Sequence, residues 1–509
     1  MAFLVEQKVG KSVYVYRSVG YWDKQKGQAR HHRICLGKKD PKTGEIISSK
    51  AFQPAKGCKD FGNFHFLYAI AEQIGLLSVL QEVFPDNWPE ILTCAFYEIS
   101  ERKPLYLCAP WSQSTMTPEN TTLSSPRISE LLQNLGERDK DRLSFFKAWA
   151  LKRSEHECIA FDITSISSYS KLNEFLEYGY NRDGEDLPQI NMAMLFGESS
   201  LLPVFYSIIQ GSVRDMTTVK NMIKYAKELD IERVRFVMDK GFYSEGNLKE
   251  MAQNRLKYAI AVPFTTSLAK TQADRMRKVL KSPALAFSIN GDIIQGICQK
   301  RTLHGQRGHL FVYFNERLYL DQKEGLLKRI LRLELKIQGK RKLPIGISDP
   351  CLRYLSIRKT KDGLRVRRID KEIERALKYK GFMVMLSNNV KDEQECLGLY
   401  RSKDAVERAF DNIKNELDLK RLRIHSETSM HGRTFVAFLS LVLHSWIDRI
   451  MKEKDLYKRY TQEEVMSELK RLKIIELSGG RKMLTEISKG QGALFKVFGV
   501  PRPDIALLQ

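Results

Sequence analysis

The order of strand-like and helix-like segments between residues 155 and 265 constrains the fold more than any other feature of the sequence. Three strand-like runs come first: ECIAFDITSIS (157–167), QINMAMLFG (189–197) and LLPVFYSIIQGS (201–212). Helix-like and strand-like segments then alternate at 215–231, 233–239, 244–255 and 257–264. Consecutive strands with short links form an antiparallel meander, whereas strands that alternate with helices pair in parallel. The pattern therefore predicts a mixed α/β domain.

This order of elements is that of the ribonuclease H-like fold, in which the first strand and the strand after the first helix are neighbours. Asp162 lies inside the first strand (CIAFDIT), and Asp239 ends the later one (VRFVMD). A charge inside an apolar strand is costly unless it is paired or bound to a cation. Because neighbouring strands lie roughly 5 Å apart, the two carboxylates could share two divalent ions about 4 Å apart. A satisfied buried aspartate and a turn cap are the ordinary alternatives.

A third carboxylate would come from a helix packed on that sheet, and the segment YRSKDAVERAFDNIKNELDLKRL (400–422) predicts such a helix. Its buried stripe is expected to consist of Val406, Phe410, Ile413 and Leu417. At roughly 100° per residue, Glu407 lies beside this stripe and is half-buried. Lys403 and Lys414 fall on the same border, with Tyr400 just beyond. The other acids point towards solvent (Asp404 and Asp411) or to the opposite border (Glu416). Glu407 is therefore the favoured ligand, although surface charges on an ordinary amphipathic helix fit the same pattern.

The rest of the chain divides by periodicity and composition. The runs KSVYVYRSVGYW and ARHHRICLG alternate about a polar turn and predict a β-hairpin with one apolar face, and apolar residues recur three and four apart from 61 to 150. The predicted regions are an N-terminal β-hairpin region (1–60), a helical, DNA-end-binding region (61–150), the first part of the catalytic domain (151–265), a β-rich insertion subdomain (266–378), the second part of the catalytic domain (379–450) and a C-terminal helical region (451–509).

The charge of the chain indicates an anionic partner. There are 84 basic and 61 acidic residues, a formal net charge of +23, which attracts nucleic acid or an anionic membrane. The longest apolar run, FVAFLSLVLHSWI (435–447), is shorter than the 18 or more residues of a membrane span and predicts a buried helix. The beginning of the sequence lacks the pattern of a signal peptide. We therefore expect nucleic acid, not a membrane, as the partner.

Cysteine spacing does not suggest a structural zinc site. The eight cysteines form no CxxC pair, and no pair of histidines has zinc-binding spacing. Free thiols in a reducing cytoplasm are the expectation.

The helix at 400–422 resembles a known signature. The spacing Tyr400-(2)-Lys403-(3)-Glu407-(6)-Lys414 is similar to the Y-(2)-R-(3)-E-(6)-K signature of bacterial insertion-sequence DDE transposases of the insertion-sequence-four type. The segments IAFDIT, GYNRDGEDLPQINMAMLF, FVMDKGFYSEGNL and HGRTFVAFLSLVL resemble further segments of that family, in order, so that the resemblance covers roughly residues 1 to 450. One position departs from the signature: lysine at 403 keeps the charge of arginine but loses its bidentate phosphate recognition, for which Arg401 could compensate.

The resemblance implies a ribonuclease H-like catalytic domain with a β-rich insertion before its glutamate. It implies that Asp162, Asp239 and Glu407 are catalytic and bind two Mg²⁺ or Mn²⁺ ions. Tyr400, Lys403 and Lys414 would contact DNA.

The implied activity is cleavage and strand transfer of double-stranded DNA at terminal inverted repeats. Homodimerisation in a synaptic complex with the transposon ends and target DNA is expected, in the bacterial cytoplasm and at the nucleoid. Two alternatives stay open: a catalytically silent DNA-binding relative that acts as a repressor, and a nuclease of the same fold that cuts without joining.

Overall fold

The computed structural model describes most of the chain. The described residues are 2–23, 27–47, 55–154, 159–168, 175–179, 186–197, 200–213, 215–229, 231, 235–303, 305–342, 349–361, 363–415, 417, 421–422, 424, 426–477 and 481–504. For some of these only the backbone is described: 2, 23, 47, 154, 159–162, 215–218, 281, 303, 306, 402–406 and 421–422. Asp162 and Lys403 are thus placed by their backbone alone.

The N-terminal segment forms a four-stranded antiparallel sheet. Its strands, in sheet order, are β1 (Ala2–Val9), β2 (Ser12–Asp23), β3 (Gln28–Lys39) and β4 (Ile46–Ile47). β2 and β3 are the two arms of the predicted hairpin, with Val13 opposite Lys39 and Trp22 opposite Ala29. Trp22 and Phe3 are exposed, so in its described part the sheet buries less apolar surface than the alternation predicted.

Helices follow, as the three- and four-residue periodicity predicted. After β5 (Ala55–Asp60) come α1 (Gly62–Gln73), α2 (Leu76–Val83), α3 (Trp88–Glu101), α4 (Cys108–Ser114), α5 (Ser125–Glu137) and α6 (Asp139–Ser154). Gly75 adopts a positive φ of 75° between α1 and α2, which bend by 82° relative to each other. The side chain of Ser124 caps α5 by accepting a hydrogen bond from the backbone N–H of Arg127.

The strand-like runs then form parts of two sheets. The elements are β6 (Ile159–Ser168), β7 (Gln189–Gly197), β8 (Pro203–Gln210), α7 (Asp215–Glu228), β9 (Arg235–Met238), α8 (Glu245–Gln253) and β10 (Lys257–Ala261). β6, which contains Asp162, belongs to one sheet, and β9, which ends just before Asp239, belongs to the other. β6, β7 and β8 form an antiparallel meander, β9 and β10 are parallel, and β6 contacts β9. The predicted mixed α/β architecture is confirmed.

The following segment extends the sheet of β9 and β10. Its elements are α9 (Ser267–Met276), β11 (Ala286–Ile289), β12 (Asp292–Leu303), β13 (Gln306–Phe314), α10 (Glu316–Ile337), β14 (Leu355–Thr360), β15 (Gly363–Arg368), α11 (Asp370–Leu377) and β16 (Phe382–Ser387). The order β11-β12-β13-β16-β10-β9 joins the inserted strands to β10 through β16.

α10, β14, β15 and α11 have a hydrophobic core of their own. The core consists of Ile330, Leu333, Ile337, Cys351, Tyr354, Leu355, Leu364, Val366 and Ile373. The side chain of Asn315 caps α10 by accepting a hydrogen bond from the backbone N–H of Leu318 at 2.9 Å.

The last part of the chain begins with two long helices. It comprises α12 (Glu393–Asn415), β17 (Arg421–Leu422), α13 (Glu427–Glu453), α14 (Gln462–Lys470), β18 (Lys473–Leu477), β19 (Lys482–Leu484) and α15 (Lys489–Val497). α13 has the length and hydropathy of a membrane span, but 78% of its most apolar window is buried inside the protein. The prediction of a buried helix at 435–447 is confirmed.

α13 crosses α5 at close range. A Cβ built on Gly432 would lie 2.0 Å from the carbonyl oxygen of Leu132, and one built on Gly136 would lie 1.8 Å from that of Thr428. Glycine is therefore required at both contact points, because any side chain would collide with backbone.

The N-terminal helices and the C-terminal segment share one hydrophobic core. β5 pairs with β18, with Asp60 opposite Lys473 and an ion pair of 2.6 Å between their side chains. The rings of Phe66 and Phe498 lie 4.9 Å apart. Regions predicted separately at 61–150 and 451–509 therefore pack as one unit.

Candidate active site

Asp239 stands where β9 ends. Its Oδ1 accepts a hydrogen bond from the backbone N–H of Lys240 at 2.7 Å, which caps the 3-10 turn Lys240–Phe242. The side chain is partly exposed, as the glycine at the next position but one predicted. Asp239 is thus a turn cap and a strand-end carboxylate at the same time, so the two interpretations of this residue do not exclude each other.

A tyrosine of α12 reaches the same carboxylate. The hydroxyl of Tyr400 donates a hydrogen bond to Asp239 Oδ1 at 2.9 Å, across 161 residues of sequence. With two donors on one oxygen, the orientation of the Asp239 carboxylate is set by the backbone on one side and by α12 on the other. The signature helix and the strand-end aspartate therefore belong to one site.

Asp162 lies in β6, with its Cα opposite that of Met194 in β7. β6 contacts β9, and α12 contacts β6, β9 and β10. The elements that carry Asp162, Asp239 and Glu407 are therefore brought together, while the carboxylate of Asp162 lies outside the described side chains.

The buried stripe of α12 is confirmed where its side chains are described. Phe410, Ile413 and Leu417 are buried, and Ala409 lies beside them; Val406 lies outside the described side chains. The buried sector stops short of Glu407, which is exposed, so the expected half-burial of this side chain was wrong.

Glu407 and Tyr400 share one face of α12. They are seven residues apart, about two turns and about 10.5 Å of rise. Glu407 therefore stands on the side of α12 from which Tyr400 contacts Asp239. Asp411 is exposed, as expected, and Asp404 and Glu416 lie outside the described side chains.

Three of the four cations of α12 bear on the predicted DNA contact, and they differ in environment. Lys414 is 7% exposed, which is unusual for lysine and requires compensation of its charge. Arg401 donates to Asp292 Oδ2 and to the carbonyl oxygen of Ile289, both at 3.0 Å. Arg401 thus fastens α12 to the hairpin of β11 and β12, and the side chain of Lys403 lies outside the described part.

A cavity of about 440 Å³ lies beside Tyr400 and Arg401, between α12 and the inserted strands. Its lining includes Asp292, Ile294, Tyr313 and Leu318. The hydroxyl of Tyr313 donates to the carbonyl oxygen of Glu393 at 2.8 Å, so the first turn of α12 is also fixed to the inserted sheet.

The chemistry of the donor set suits a hard divalent cation. Carboxylate oxygens are the ligands that Mg²⁺ prefers, and both Asp239 and Glu407 present them at least partly to solvent. Among the described side chains, no group of three or more His, Cys, Asp and Glu residues is placed to hold a metal ion. Since the Asp162 carboxylate is not among them, this finding concerns Asp239 and Glu407 but not the complete triad.

Sequence reasoning missed the direct bond between Tyr400 and Asp239 and the attachment of α12 through Arg401. The seven-residue spacing of Tyr400 and Glu407 was an available signal, because it places both on one helix face. The partner of Arg401 could not be found this way, since Asp292 lies 109 residues earlier.

Comparison with known proteins identifies the family. Residues 153–443 match the family described as transposase DDE domain. No curated protein matches the sequence. Among solved structures, the chain is similar to a cryo-EM structure of the piggyBac transposase synaptic complex with hairpin DNA, with 11% sequence identity and a TM-score of 0.33, over 79% of this chain and 70% of that chain. Because the family match spans more than half of the chain, the protein belongs to the DDE transposase family, and its function is DNA transposition.

Proposed function

We propose that the protein is a bacterial insertion-sequence transposase of the insertion-sequence-four type. It cleaves DNA at terminal inverted repeats and joins the ends to target DNA. The observation that carries this proposal is the hydrogen bond from Tyr400 to Asp239. It connects the first residue of the signature-like spacing with the second predicted catalytic acid, as a common active site requires.

The proposed catalytic fold is ribonuclease H-like. In its support, an antiparallel meander (β8, β7, β6) meets a parallel pair (β9, β10) where β6 contacts β9. Asp162 and Asp239 lie on the two strands that meet there. The proposed domain boundaries remain those expected from the sequence: 1–60, 61–150, 151–265, 266–378, 379–450 and 451–509.

Asp162, Asp239 and Glu407 are the residues that would hold two Mg²⁺ or Mn²⁺ ions. When bound, such ions activate a water or 3′-hydroxyl nucleophile and stabilise charge on the leaving oxygen. The protein's own contribution is orientation: the Lys240 N–H and the Tyr400 hydroxyl fix Asp239 Oδ1. A carboxylate held in this way loses little rotational freedom when it binds a ligand.

Three residues of α12 are proposed to contact DNA: Tyr400, Lys403 and Lys414. Lys403 would act as a point charge on a phosphate. Lys414 is buried as a residue, so its ammonium group would reach a phosphate only at the edge of the helix, where a long cationic side chain can extend.

The proposed partners are the terminal inverted repeats and the target, both double-stranded DNA. A homodimer would hold two ends in a synaptic complex, in the bacterial cytoplasm at the nucleoid. Recognition of the ends is assigned to residues 1–150.

The proposal is tested by incubating the purified protein with the DNA ends that flank its gene, with Mg²⁺, and mapping the products. Asp162→Ala, Asp239→Asn and Glu407→Gln should each abolish cleavage while the DNA is still bound. Asp411→Asn is the matched control, because this exposed acid lies one turn after Glu407 on the same helix. Cleavage by any of the first three variants, or its loss in the control, would contradict the assignment of the triad.

The same experiment separates the two alternatives. A catalytically silent repressor would bind the ends without cutting them in Mg²⁺ or Mn²⁺. A non-joining nuclease would release cut ends but give no joined product with a target duplex. Joined products support the transposase.

A further inference from the structure

Positive charge is concentrated in residues 316–378, which we name the basic subdomain. It contains 19 basic and 9 acidic residues, a formal net charge of +10 out of +23 for the whole chain. It includes α10, β14, β15 and α11, which share the separate hydrophobic core. A small folded unit with this charge is a candidate surface for a polyanion.

Three arginines of the basic subdomain lie on one face of the hairpin β14–β15. Arg358 stands directly opposite Arg365, and Arg367 stands opposite Ser356. Cross-strand partners, and residues two apart along a strand, share a face of the sheet. Arg358, Arg365 and Arg367 are exposed, whereas Leu364 and Val366 on the other face are buried in the subdomain core. We name the three residues the outer arginine face.

Several other cations of the basic subdomain have acidic partners. Lys328 pairs with Glu324, Arg329 with Asp349, Arg368 with Glu334, and Arg375 with Glu372. The described part of the chain supplies no ion pair to Arg358, Arg365 or Arg367. Like charges directly opposite each other destabilise a strand pair, so the opposition of Arg358 and Arg365 has a cost in the folded protein that an external anion would remove.

The length of α10 gives the distance between the outer arginine face and the active site. Leu318 lines the cavity beside Tyr400. The hairpin contacts the far end of α10, where Arg368 binds Glu334 and the backbone N–H of Val366 donates to Gln338 Oε1 at 2.8 Å. Glu334 and Gln338 follow Leu318 by 16 and 20 residues, which corresponds to roughly 24–30 Å along the helix axis.

We propose that the outer arginine face binds backbone phosphates of double-stranded DNA at a distance from the site of cleavage. At 3.4 Å per base pair, 24–30 Å corresponds to roughly seven to nine base pairs. The contact is electrostatic and independent of sequence, because arginine–phosphate bonds carry no base information. This proposal rests on the proposed function in one respect: the distance is measured from DNA bound at the active site.

The test is equilibrium binding of the full-length protein to a DNA end in EDTA, which keeps cleavage out of the measurement. The variant Arg358→Gln/Arg365→Gln/Arg367→Gln is compared with the wild type over a series of salt concentrations. Loss of three phosphate contacts should make the slope of log K against log salt less negative by about 2.7. Affinity at the lowest salt concentration should fall at least tenfold.

The matched control is Lys328→Gln/Arg329→Gln/Arg375→Gln. It removes the same charge from the same subdomain, but each of its residues already has a carboxylate partner. The slope for this control should change by less than one unit. Removal of opposed like charges should leave the melting temperature of the first variant unchanged or raised, so misfolding will not imitate the effect.

Duplex length gives a second readout. The defect of the outer-face variant should be present with twelve base pairs on both sides of the cleavage position and absent with four. An unchanged slope, an equal change in the control, or an equal defect on the short duplex would overturn the proposal. Failure of the wild type to cut the end would count against the proposed function alone, since the salt dependence is measured without cleavage.

Discussion

Replacement of Arg433 by methionine should destabilise the protein by about 3–5 kcal/mol, the usual cost of removing one partner of a buried ion pair. Arg433 lies in α13 and pairs with Glu98 of α3; their side chains are 9% and 1% exposed. Nη2 of Arg433 also donates to the carbonyl oxygen of Leu417, just beyond α12, at 3.2 Å. One guanidinium thus joins α3 and α13 to the segment just beyond α12.

The size of the loss in stability follows from the contacts that Glu98 keeps when Arg433 is replaced. After Arg433 is removed, the Glu98 carboxylate keeps the hydroxyl of Ser440, which donates to Oε2 at 2.7 Å. A hydrogen bond to a charged group contributes about 1.5–3 kcal/mol, less than the several kcal/mol needed to desolvate the charge. Since domains are stable by about 5–15 kcal/mol, the variant should lose a large share of its stability.

The double variant Glu98→Met/Arg433→Met tests whether the buried charge of Glu98 causes the loss of stability. With both charges gone, no unpaired charge is buried, so the double variant should be more stable than Arg433→Met alone. The two substitutions should therefore be strongly non-additive in a double-mutant cycle.

Urea unfolding followed by circular dichroism gives the four free energies of the cycle. The reasoning is refuted if Arg433→Met costs less than about 1 kcal/mol, or if the costs of the two single substitutions simply add.

Three further predictions concern α12 and α13. Gly432→Ala should destabilise the protein by at least about 1–3 kcal/mol, because the new methyl group collides with the Leu132 carbonyl. Gly398→Ala, in open space on α12, should instead stabilise it by about 0.5–1 kcal/mol. Equal effects of the two substitutions in urea unfolding would contradict the close crossing of α13 and α5. Burial lowers the pKa of His444 to about 4, below the ordinary value of 6.5. As the pH falls, His444 is therefore protonated in the unfolded chain before it is protonated in the folded protein. The free energy of unfolding should fall by about 3 kcal/mol between pH 6.5 and pH 4, and this decrease should be smaller in His444→Gln. Tyr400→Phe should slow cleavage about tenfold, corresponding to loss of about 1.5 kcal/mol of carboxylate orientation. DNA binding in EDTA should be retained, because phenylalanine keeps the ring with which Tyr400 would contact DNA. An unchanged cleavage rate would remove the hydroxyl from the mechanism.

Local patterns predicted the elements of the catalytic region well. β7 occupies the expected residues 189–197, and the buried side chains of Phe410 and Ile413 confirm the stripe on α12. These features depend on periodicities of two and of 3.6 residues, which the sequence displays directly. Asp239 was likewise placed at a strand end because apolar residues stop there and a glycine follows.

Features that depend on distant partners were not predicted. The helical periodicity could not show how far the buried sector of α12 extends, because its width depends on which elements pack against α12. Glu407, expected to be half-buried, is exposed. The hairpin β14–β15 was also missed, although Asp-Gly at 362–363 between alternating residues is a strong turn signal. The high content of lysine and arginine there concealed the alternation.

The pairing of β5 with β18 has a consequence for the order of events during synthesis. Asp60 and Lys473, whose side chains meet at this pairing, are separated by 413 residues. At about 5–20 residues per second, translation takes roughly 20–80 s to cover that distance. During this interval the early helices expose the apolar side chains that α14 and α15 later cover. We therefore expect the first part of the chain to need protection by chaperones during this interval, and termination of translation before β18 would leave β5 without its partner strand.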